Sequence, residues 1–223
     1  MRTAALHNLG CKVNSYETEA MQHLLEEAGY EIVPFTQKAD VYVINTCSVT
    51  NMADRKSRQM LHKAKKNNPD SIVVAAGCYV QTSEKDVLND LSVDIVIGND
   101  RKHDLVRLLE EYSLDSVNDT VDDINDGKHD FEELFIDQTK EHTRAFIKVQ
   151  DGCNQFCSYC IIPYARGRVR SRRFENVIAE VERLAANGFK EVVLTGIHLS
   201  SYGVDFEEAT GLLELIQAVN AVK

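Results

Sequence analysis

The chain has 223 residues, of which 43% are hydrophobic and 27% charged, with a formal net charge of −10, a composition typical of globular proteins rather than disordered ones. Residues 1–19 contain no continuous apolar segment, so a secretory signal peptide is not expected, and the longest apolar stretch, 72–80, is too short to span a bilayer. We therefore expect a cytoplasmic protein without membrane association. Thiols stay reduced there, and the six cysteines are better explained as metal ligands or catalytic groups than as disulfides.

The first half of the chain alternates strand and helix signals. Asn14 is expected to cap the first helix, with Glu17 as its capping-box partner, and Gly29 to end it. The predicted strands cover 3–9, 40–46, 72–76 and 94–97, and the predicted helices cover 14–28, 53–67 and 101–112. This alternation predicts an α/β domain at 1–112, built as a doubly wound parallel sheet with helices on both faces.

Three cysteines of this region occupy the same position in the predicted topology. Cys11, Cys47 and Cys78 each stand just after a predicted strand, and they are separated by about one βα unit. The carboxyl ends of parallel strands meet at one edge of a sheet, where ligands bind. We therefore expect the three thiols to converge in space. The alternative is three buried cysteines that pack as small hydrophobic residues.

An acidic segment separates this domain from the rest of the chain. Residues 113–137 contain nine acidic residues and one basic residue, and so carry −8 of the net −10. Basic patches elsewhere can therefore still face an anionic partner. With few aromatic residues and no firm periodicity, 113–142 is predicted to be a solvated linker or an irregular pair of strands.

Residues 143–223 form the start of a second domain. Strands are predicted at 144–150 and 191–195, and helices at 174–187 and 211–222. Two such units bury little core by themselves. We therefore expect this domain to be truncated at residue 223, and the 223 residues alone to be inactive.

A second, compact set of cysteines follows the first strand of this domain. Cys153, Cys157 and Cys160 are spaced C-x3-C-x2-C, which is neither the paired C-x2-C of zinc ribbons nor the ferredoxin run. A cubane iron–sulfur cluster usually takes four thiolates, so three thiolates leave one iron with an open position. Two sets of three cysteines suggest two clusters, each with a site for chemistry.

The surroundings of the compact set carry a family resemblance. With Gly152 at its start and Tyr159 before the last cysteine, the loop resembles the radical S-adenosylmethionine (SAM) superfamily, in which such a loop follows the first strand of a partial (β/α) barrel. The resemblance implies a [4Fe–4S] cluster that chelates SAM, with Tyr159 near the adenine. It also implies a methionine-binding glycine motif at Gly196, although the usual acidic neighbour is missing from the sequence TGIH at 195–198.

A narrower resemblance covers nearly the whole chain. The segments LGCKVNSYETE, NTCSVTNMADRKSRQ, AAGCYVQ and DGCNQFCSYCIIPYARGRVRSR resemble the methylthiotransferases, and among them the enzymes that act on N6-threonylcarbamoyladenosine in tRNA. Alternatives within the family act on isopentenyladenosine in tRNA or on ribosomal protein S12. The resemblance implies an auxiliary [4Fe–4S] cluster on Cys11, Cys47 and Cys78, and radical sulfur insertion and methylation at adenine C2. It further implies a tRNA substrate and an electron donor such as flavodoxin or ferredoxin.

Two further alternatives are not enzymes: a non-catalytic iron–sulfur module, such as an electron carrier, and a zinc-binding RNA module. For RNA contact, the arginine-rich segment after the compact cysteines is the candidate, because guanidinium groups bind phosphates in a bidentate manner. Its alternative is surface charge or packing between the two domains. The candidate residues are Arg166, Arg168, Arg170, Arg172 and Arg173.

Overall fold

The structure is a computed structural model that describes residues 2–112, 118–136, 144–207 and 210–222. The predicted domain boundaries near 113 and 142 lie outside the described residues. No helix in the described ranges is long and apolar enough to cross a membrane.

The N-terminal domain is built on a parallel sheet, as the alternating pattern predicts. Its strands follow the order β2-β1-β3-β4-β5-β6, and every neighbouring pair is parallel. The strands are β1 (Thr3–Asn8), β2 (Glu31–Ile32), β3 (Val41–Thr46), β4 (Ile72–Gly77), β5 (Ile95–Ile97) and β6 (Asn118–Thr120). The helices are α1 (Lys12–Glu27), α2 (Asn51–Asn67), α3 (Cys78–Thr82), α4 (Glu84–Leu88) and α5 (Leu105–Glu111), the last preceded by a 3-10 turn at Lys102–Asp104.

Side chains from both faces of this sheet are buried under helices. Helices α1 and α5 cover one face, where Met21 and Leu108 pack against Val43. Helices α2, α3 and α4 cover the other, where Leu61 packs with Ile44. Because successive side chains of a strand point to opposite faces, strands covered on both faces need apolar residues at every position, which explains why β3 and β4 are almost entirely apolar.

The first helix begins earlier than predicted. It starts at Lys12, with Cys11 in the cap position. Asn14 and Glu17 therefore lie inside the helix and are buried, so the prediction that Asn14 caps the helix is wrong. The polar side chains that suggested a capping box have other partners, across the domain boundary.

The second domain has a three-stranded sheet in the order β8-β7-β9. Strands β7 and β9 are parallel, while β8, which the sequence did not predict, is antiparallel to β7. Val149 of β7 packs with Val181 and Leu184 in the core. The elements are β7 (Ala145–Asp151), α6 (Ile162–Arg166), β8 (Arg170–Ser171), α7 (Phe174–Ala186), β9 (Val192–Gly196), a 3-10 turn at Leu199–Ser201, and α8 (Leu212–Ala221).

The described part of the acidic segment is packed against both domains. Strand β6 extends the N-terminal sheet, Ile124 is buried, and Leu134 and Ile136 pack against Tyr16 of α1. The assignment of 113–142 as a linker stays a prediction, and most of 122–130 is exposed, but residues 131–136 are packed rather than solvated. The reason is that a few apolar residues, spaced among the carboxylates, gain enough from burial to hold the segment in place.

Candidate metal centres

The three dispersed cysteines lie at one edge of the N-terminal sheet. Cys11 precedes α1, Cys47 follows β3, and Cys78 is the first residue of α3 after β4. Strands β1, β3 and β4 are direct neighbours, so their carboxyl ends place the cysteines side by side. All three are free thiols; Cys47 and Cys78 are buried and Cys11 is exposed.

Close backbone contact joins the Cys11 loop to Cys47. Gly10 has a φ of +113°, and a Cβ atom there would lie 2.9 Å from Sγ of Cys47. Asn14 accepts a contact of 3.7 Å from Sγ of Cys11 and donates to the carbonyl oxygen of Thr46 at 2.9 Å. The loop is thereby held against the strand end that carries the second thiol.

The pKa of the Cys47 thiol is shifted by burial and by the groups that surround it. Burial raises the pKa of the Cys47 thiol, the nearby thiols of Cys78 and Cys11 raise it further, and the backbone N–H of Val49 and the charge of Arg166 act in the opposite direction. Cysteine binds metal as a thiolate, so metal binding would release protons here.

The donor set suits an iron–sulfur cluster. Three thiols, with no carboxylate among the expected ligands, form the soft ligand set that such clusters take. Among the described residues, no three His, Cys, Asp or Glu side chains are close enough to share one metal ion. A cubane cluster contacts each cysteine through a different iron and does not need three ligands around a single ion.

The compact cysteines lie on the loop between β7 and α6. The loop is closed at its base, where the N–H of Cys153 donates to the carbonyl of Gly167 at 3.0 Å. Gly152, with a φ of +68°, permits this closure, since a Cβ atom there would be 1.9 Å from the carbonyl oxygen of Arg168. Cys157 is exposed, and Cys153 and Cys160 are partly exposed, so the loop is anchored at its base and accessible at its tip.

Tyr159 and Gly196 lie at the same end of the second sheet as this loop. The Tyr159 side chain is 90% exposed. Gly196 ends β9 and pairs in register with Gln150 of β7, whose side chain accepts from the N–H of His198 at 2.7 Å and donates to the carbonyl of Gly152 at 2.8 Å. The SAM contacts expected of Tyr159 and Gly196 stay predictions.

The arginine-rich segment divides into buried and exposed residues. Arg166 and Arg172 are fully buried and Arg170 is 5% exposed, whereas Arg168 and Arg173 are exposed. The expectation that all five contact RNA is therefore corrected for Arg166, Arg170 and Arg172. Their guanidinium groups are held by carboxylates inside the protein, which corresponds to the alternative of packing between the domains.

The first buried ion cluster joins α1 to the second domain. Arg166 contacts Glu17 at 2.8 Å and Asp151 at 3.1 Å, and Lys148 contacts the same two carboxylates at 2.7 and 2.6 Å. Lys102 contacts Glu17 at 3.3 Å. Burial by itself would raise the pKa of Glu17, but the charges of Arg166, Lys102 and Lys148 outweigh burial and hold that pKa well below its ordinary value.

A second buried cluster surrounds Arg172. It pairs with Glu180 and contacts Glu133 at 2.8 Å and the hydroxyl of Tyr16 at 3.2 Å. That hydroxyl donates to the carbonyl of Leu134 at 2.5 Å. Burial raises the pKa of Glu180, against the opposing charge of Arg172. The two clusters fix α1 against the second domain.

Asn99 and Lys148 were not predicted from the sequence to belong to the site, and Asn14 was predicted only as a helix cap. One signal was present: Lys148 interrupts the apolar run of 145–149, and a lysine buried in a strand requires carboxylate partners. Asn99 carried no such signal, although it is fully buried and donates toward Sγ of Cys78 at 3.7 Å.

Comparisons with known proteins agree with the two-part architecture. Residues 3–98 match the family described as "Uncharacterized protein family UPF0004", and residues 147–219 match the radical SAM superfamily. The chain is 46% identical over its whole length to the threonylcarbamoyladenosine tRNA methylthiotransferase MtaB of Bacillus subtilis, of which it covers 50%. It is 34% identical over 98% of its length to a tRNA-2-methylthio-N(6)-dimethylallyladenosine synthase of Thermoanaerobacter sp., of which it covers 47%.

The chain thus spans about half the length of the curated relatives it matches. Among solved structures, the radical S-adenosylmethionine methyltransferase TsrM from Kitasatospora setae superposes with a TM-score of 0.59 over 97% of this chain and 52% of that one, at 17% identity. At that identity the likeness shows the fold alone. The chain thus joins a segment that matches the UPF0004 family to a segment that matches the radical SAM superfamily, and it is similar over its whole length to enzymes named as tRNA methylthiotransferases.

Proposed function

We propose that this chain is the cluster-binding half of a tRNA methylthiotransferase that places a methylthio group on C2 of N6-threonylcarbamoyladenosine. The observation that carries the proposal is the placement of the six free cysteines. One set of three lies at the carboxyl edge of the parallel sheet, the other on the loop after β7, and the buried ion pairs of Glu17 with Lys148 and Arg166 join the two domains. A sulfur donor and a radical generator that act on one substrate require two cluster sites in domains that are held together.

In this proposal Cys11, Cys47 and Cys78 hold the auxiliary [4Fe–4S] cluster, and Cys153, Cys157 and Cys160 hold the cluster that binds SAM. When bound, the clusters and SAM supply the radical, the sulfur site and the methyl group that sulfur insertion at an aromatic C–H requires. The protein contributes position. Gly152 and Gly10 allow the tight turns, Gln150 joins the ends of β7 and β9 beside Gly196, and Tyr159 is free to cover SAM.

The exposed arginines are the proposed tRNA contacts of this half. Arg168 lies over the ring of Phe156 at 4.4 Å, directly beside the compact cysteine loop, and Arg173 lies over the ring of Phe206 at 5.6 Å. An arginine held flat on an aromatic ring keeps its outer face available for a phosphate or a base. Both residues are exposed, unlike the three arginines that face carboxylates.

The same proposal includes a cytoplasmic one-electron donor such as flavodoxin or ferredoxin. Free thiols of the kind found here persist in the reducing cytoplasm, where tRNA is modified. The higher identity to the threonylcarbamoyladenosine enzyme than to the dimethylallyladenosine enzyme, 46% against 34%, favours the first substrate.

Mass spectrometry of tRNA nucleosides tests this function. Cells lacking the full-length protein are expected to lose the 2-methylthio form of N6-threonylcarbamoyladenosine alone, and the wild-type gene to restore it. Cys11→Ala and Cys157→Ala variants should both fail to restore it, but only Cys11→Ala should retain SAM cleavage. Loss of the methylthio isopentenyl nucleoside instead would contradict the substrate, and product from Cys11→Ala would contradict the role of the dispersed cysteines.

A further inference from the structure

Arg166 is the residue of the second domain that reaches the surroundings of the dispersed cysteines. Its Nη2 donates to Oδ1 of Asn14 at 2.6 Å, and the same oxygen lies 3.7 Å from Sγ of Cys11. The preceding residue, Ala165, accepts at 2.5 Å from Nδ2 of Asn99, which in turn lies 3.7 Å from Sγ of Cys78. A single side chain, Asn14 or Asn99, therefore connects helix α6 to each of two of the three thiols.

The guanidinium of Arg166 has one unused donor. Nη1 contacts Glu17 and Asp151, and Nη2 contacts Asn14 and Glu17. Nε is buried and has no acceptor among the described residues. A buried N–H without a partner costs free energy comparable to a lost hydrogen bond. This cost is avoided if an acceptor occupies the site of the dispersed cysteines in the protein that carries its cluster.

The charge of the buried ion cluster also supports a negatively charged group beside Arg166. Every cation of the set joined by ion pairs has a carboxylate partner, but the four permanent cations outnumber the three carboxylates and leave a net charge of +1. The set comprises Lys102, Lys148, Arg166 and Arg170 with Glu17, Asp151 and Asp100, and His129 also contacts Asp100. Buried charges are ordinarily paired. A cubane core held by three thiolates is anionic overall and would supply the missing negative charge.

We propose that Arg166 is a positioning residue of the auxiliary centre: its buried guanidinium neutralises the cluster on Cys11, Cys47 and Cys78 and donates Nε–H to a sulfur of that centre. This rests on the proposed function, because it requires a cluster on those cysteines. A cation beside an anionic cluster favours the reduced, more negative state and so raises the reduction potential. The residue that follows the radical-generating loop thereby sets the potential of the other cluster.

The test is a redox titration of the full-length protein carrying Cys157→Ala, reconstituted with iron and sulfide so that the dispersed cysteines alone are loaded, and followed by EPR. Arg166→Gln should disfavour one-electron reduction at least tenfold, a shift of about 59 mV to lower potential. Arg172→Gln is the matched control, since Arg172 is equally buried, is ion-paired with Glu180 and reaches α1 through the hydroxyl of Tyr16, but belongs to the second cluster. Its potential should equal that of the parent.

An Arg166→Gln potential equal to that of the parent overturns the inference while leaving the proposed function intact. If the parent itself binds no [4Fe–4S] cluster, the proposed function fails first. If Arg166→Gln loses its iron while Arg172→Gln keeps it, the Arg166→Lys variant tests whether the positive charge is what the cluster needs. Recovery of the EPR signal and potential by lysine supports the role of the charge, and a lysine variant as empty as the glutamine variant refutes it.

Discussion

Replacement of Glu17 by glutamine perturbs the contact between the two domains at its most buried charge. Glu17 is fully buried and lies 2.7–3.3 Å from Lys148, Arg166 and Lys102. Glutamine preserves the volume and can still accept one hydrogen bond, but it leaves Lys148 and Arg166 with Asp151 as their carboxylate and removes the carboxylate that Lys102 contacts. Removing one partner of a buried ion pair costs about 3–5 kcal/mol, and because glutamine retains some hydrogen bonding we expect about 3 kcal/mol.

The pH dependence of this loss follows from the pKa of Glu17. Burial would raise that pKa, but the three cations hold it well below its ordinary value of 4.5. A carboxyl group with a lowered folded-state pKa stabilises the fold above its unfolded pKa, and the stabilisation is lost as pH falls towards the folded pKa. The difference between wild type and Glu17→Gln should therefore be full at pH 7 and shrink progressively below about pH 4.5.

Chemical unfolding followed by circular dichroism measures this difference at a series of pH values. The control is Glu111→Gln, which removes an exposed ion pair with Arg107 and should leave stability unchanged. If Glu17→Gln were as stable as Glu111→Gln at pH 7, or if its deficit did not depend on pH between 3 and 7, the buried ion cluster would not be what joins the domains.

Three further predictions concern the other parts of the site. Gly10→Ala introduces a Cβ atom 2.9 Å from Sγ of Cys47 at a φ of +113°, so iron in the full-length protein should fall from about eight to about four per chain; undiminished iron would contradict the assigned packing. Tyr16→Phe removes a buried hydroxyl that both donates and accepts and should cost about 1–3 kcal/mol in chemical unfolding, a cost that an exposed hydroxyl would not show. Joint replacement of Arg168 and Arg173 by glutamine should weaken tRNA binding and lower its log–log salt slope by about two, with stability unchanged; an unchanged slope would exclude them as phosphate contacts.

The positions of the cysteines were predictable because they depend on local pattern and on one topological rule. Strand signals before Cys11, Cys47 and Cys78, combined with parallel connections, suffice to bring the three to one edge. The compact loop needed only its spacing and the preceding strand. These features depend on short segments, in which apolar periodicity and turn residues determine the local structure.

Whether each arginine is buried or exposed depends on partners that are distant in the sequence. Arg166 is buried because Glu17, 149 residues earlier, reaches it from α1, and Arg172 is buried through Tyr16 and Glu180. The spacing of arginines in YARGRVRSRR does not distinguish a guanidinium that faces carboxylates from one that faces solvent. For the same reason the packing of 131–136 was missed, since Leu134 and Ile136 lie against residues of both domains.

Iron and acid-labile sulfide per full-length chain, with the EPR spectrum of the reduced protein, test most directly whether the six cysteines hold two clusters. The wild type should contain about eight irons, and the Cys11→Ala and Cys157→Ala variants about four each, every one with a [4Fe–4S] signal. About four irons in the wild type, or stoichiometric zinc in place of iron, would contradict it.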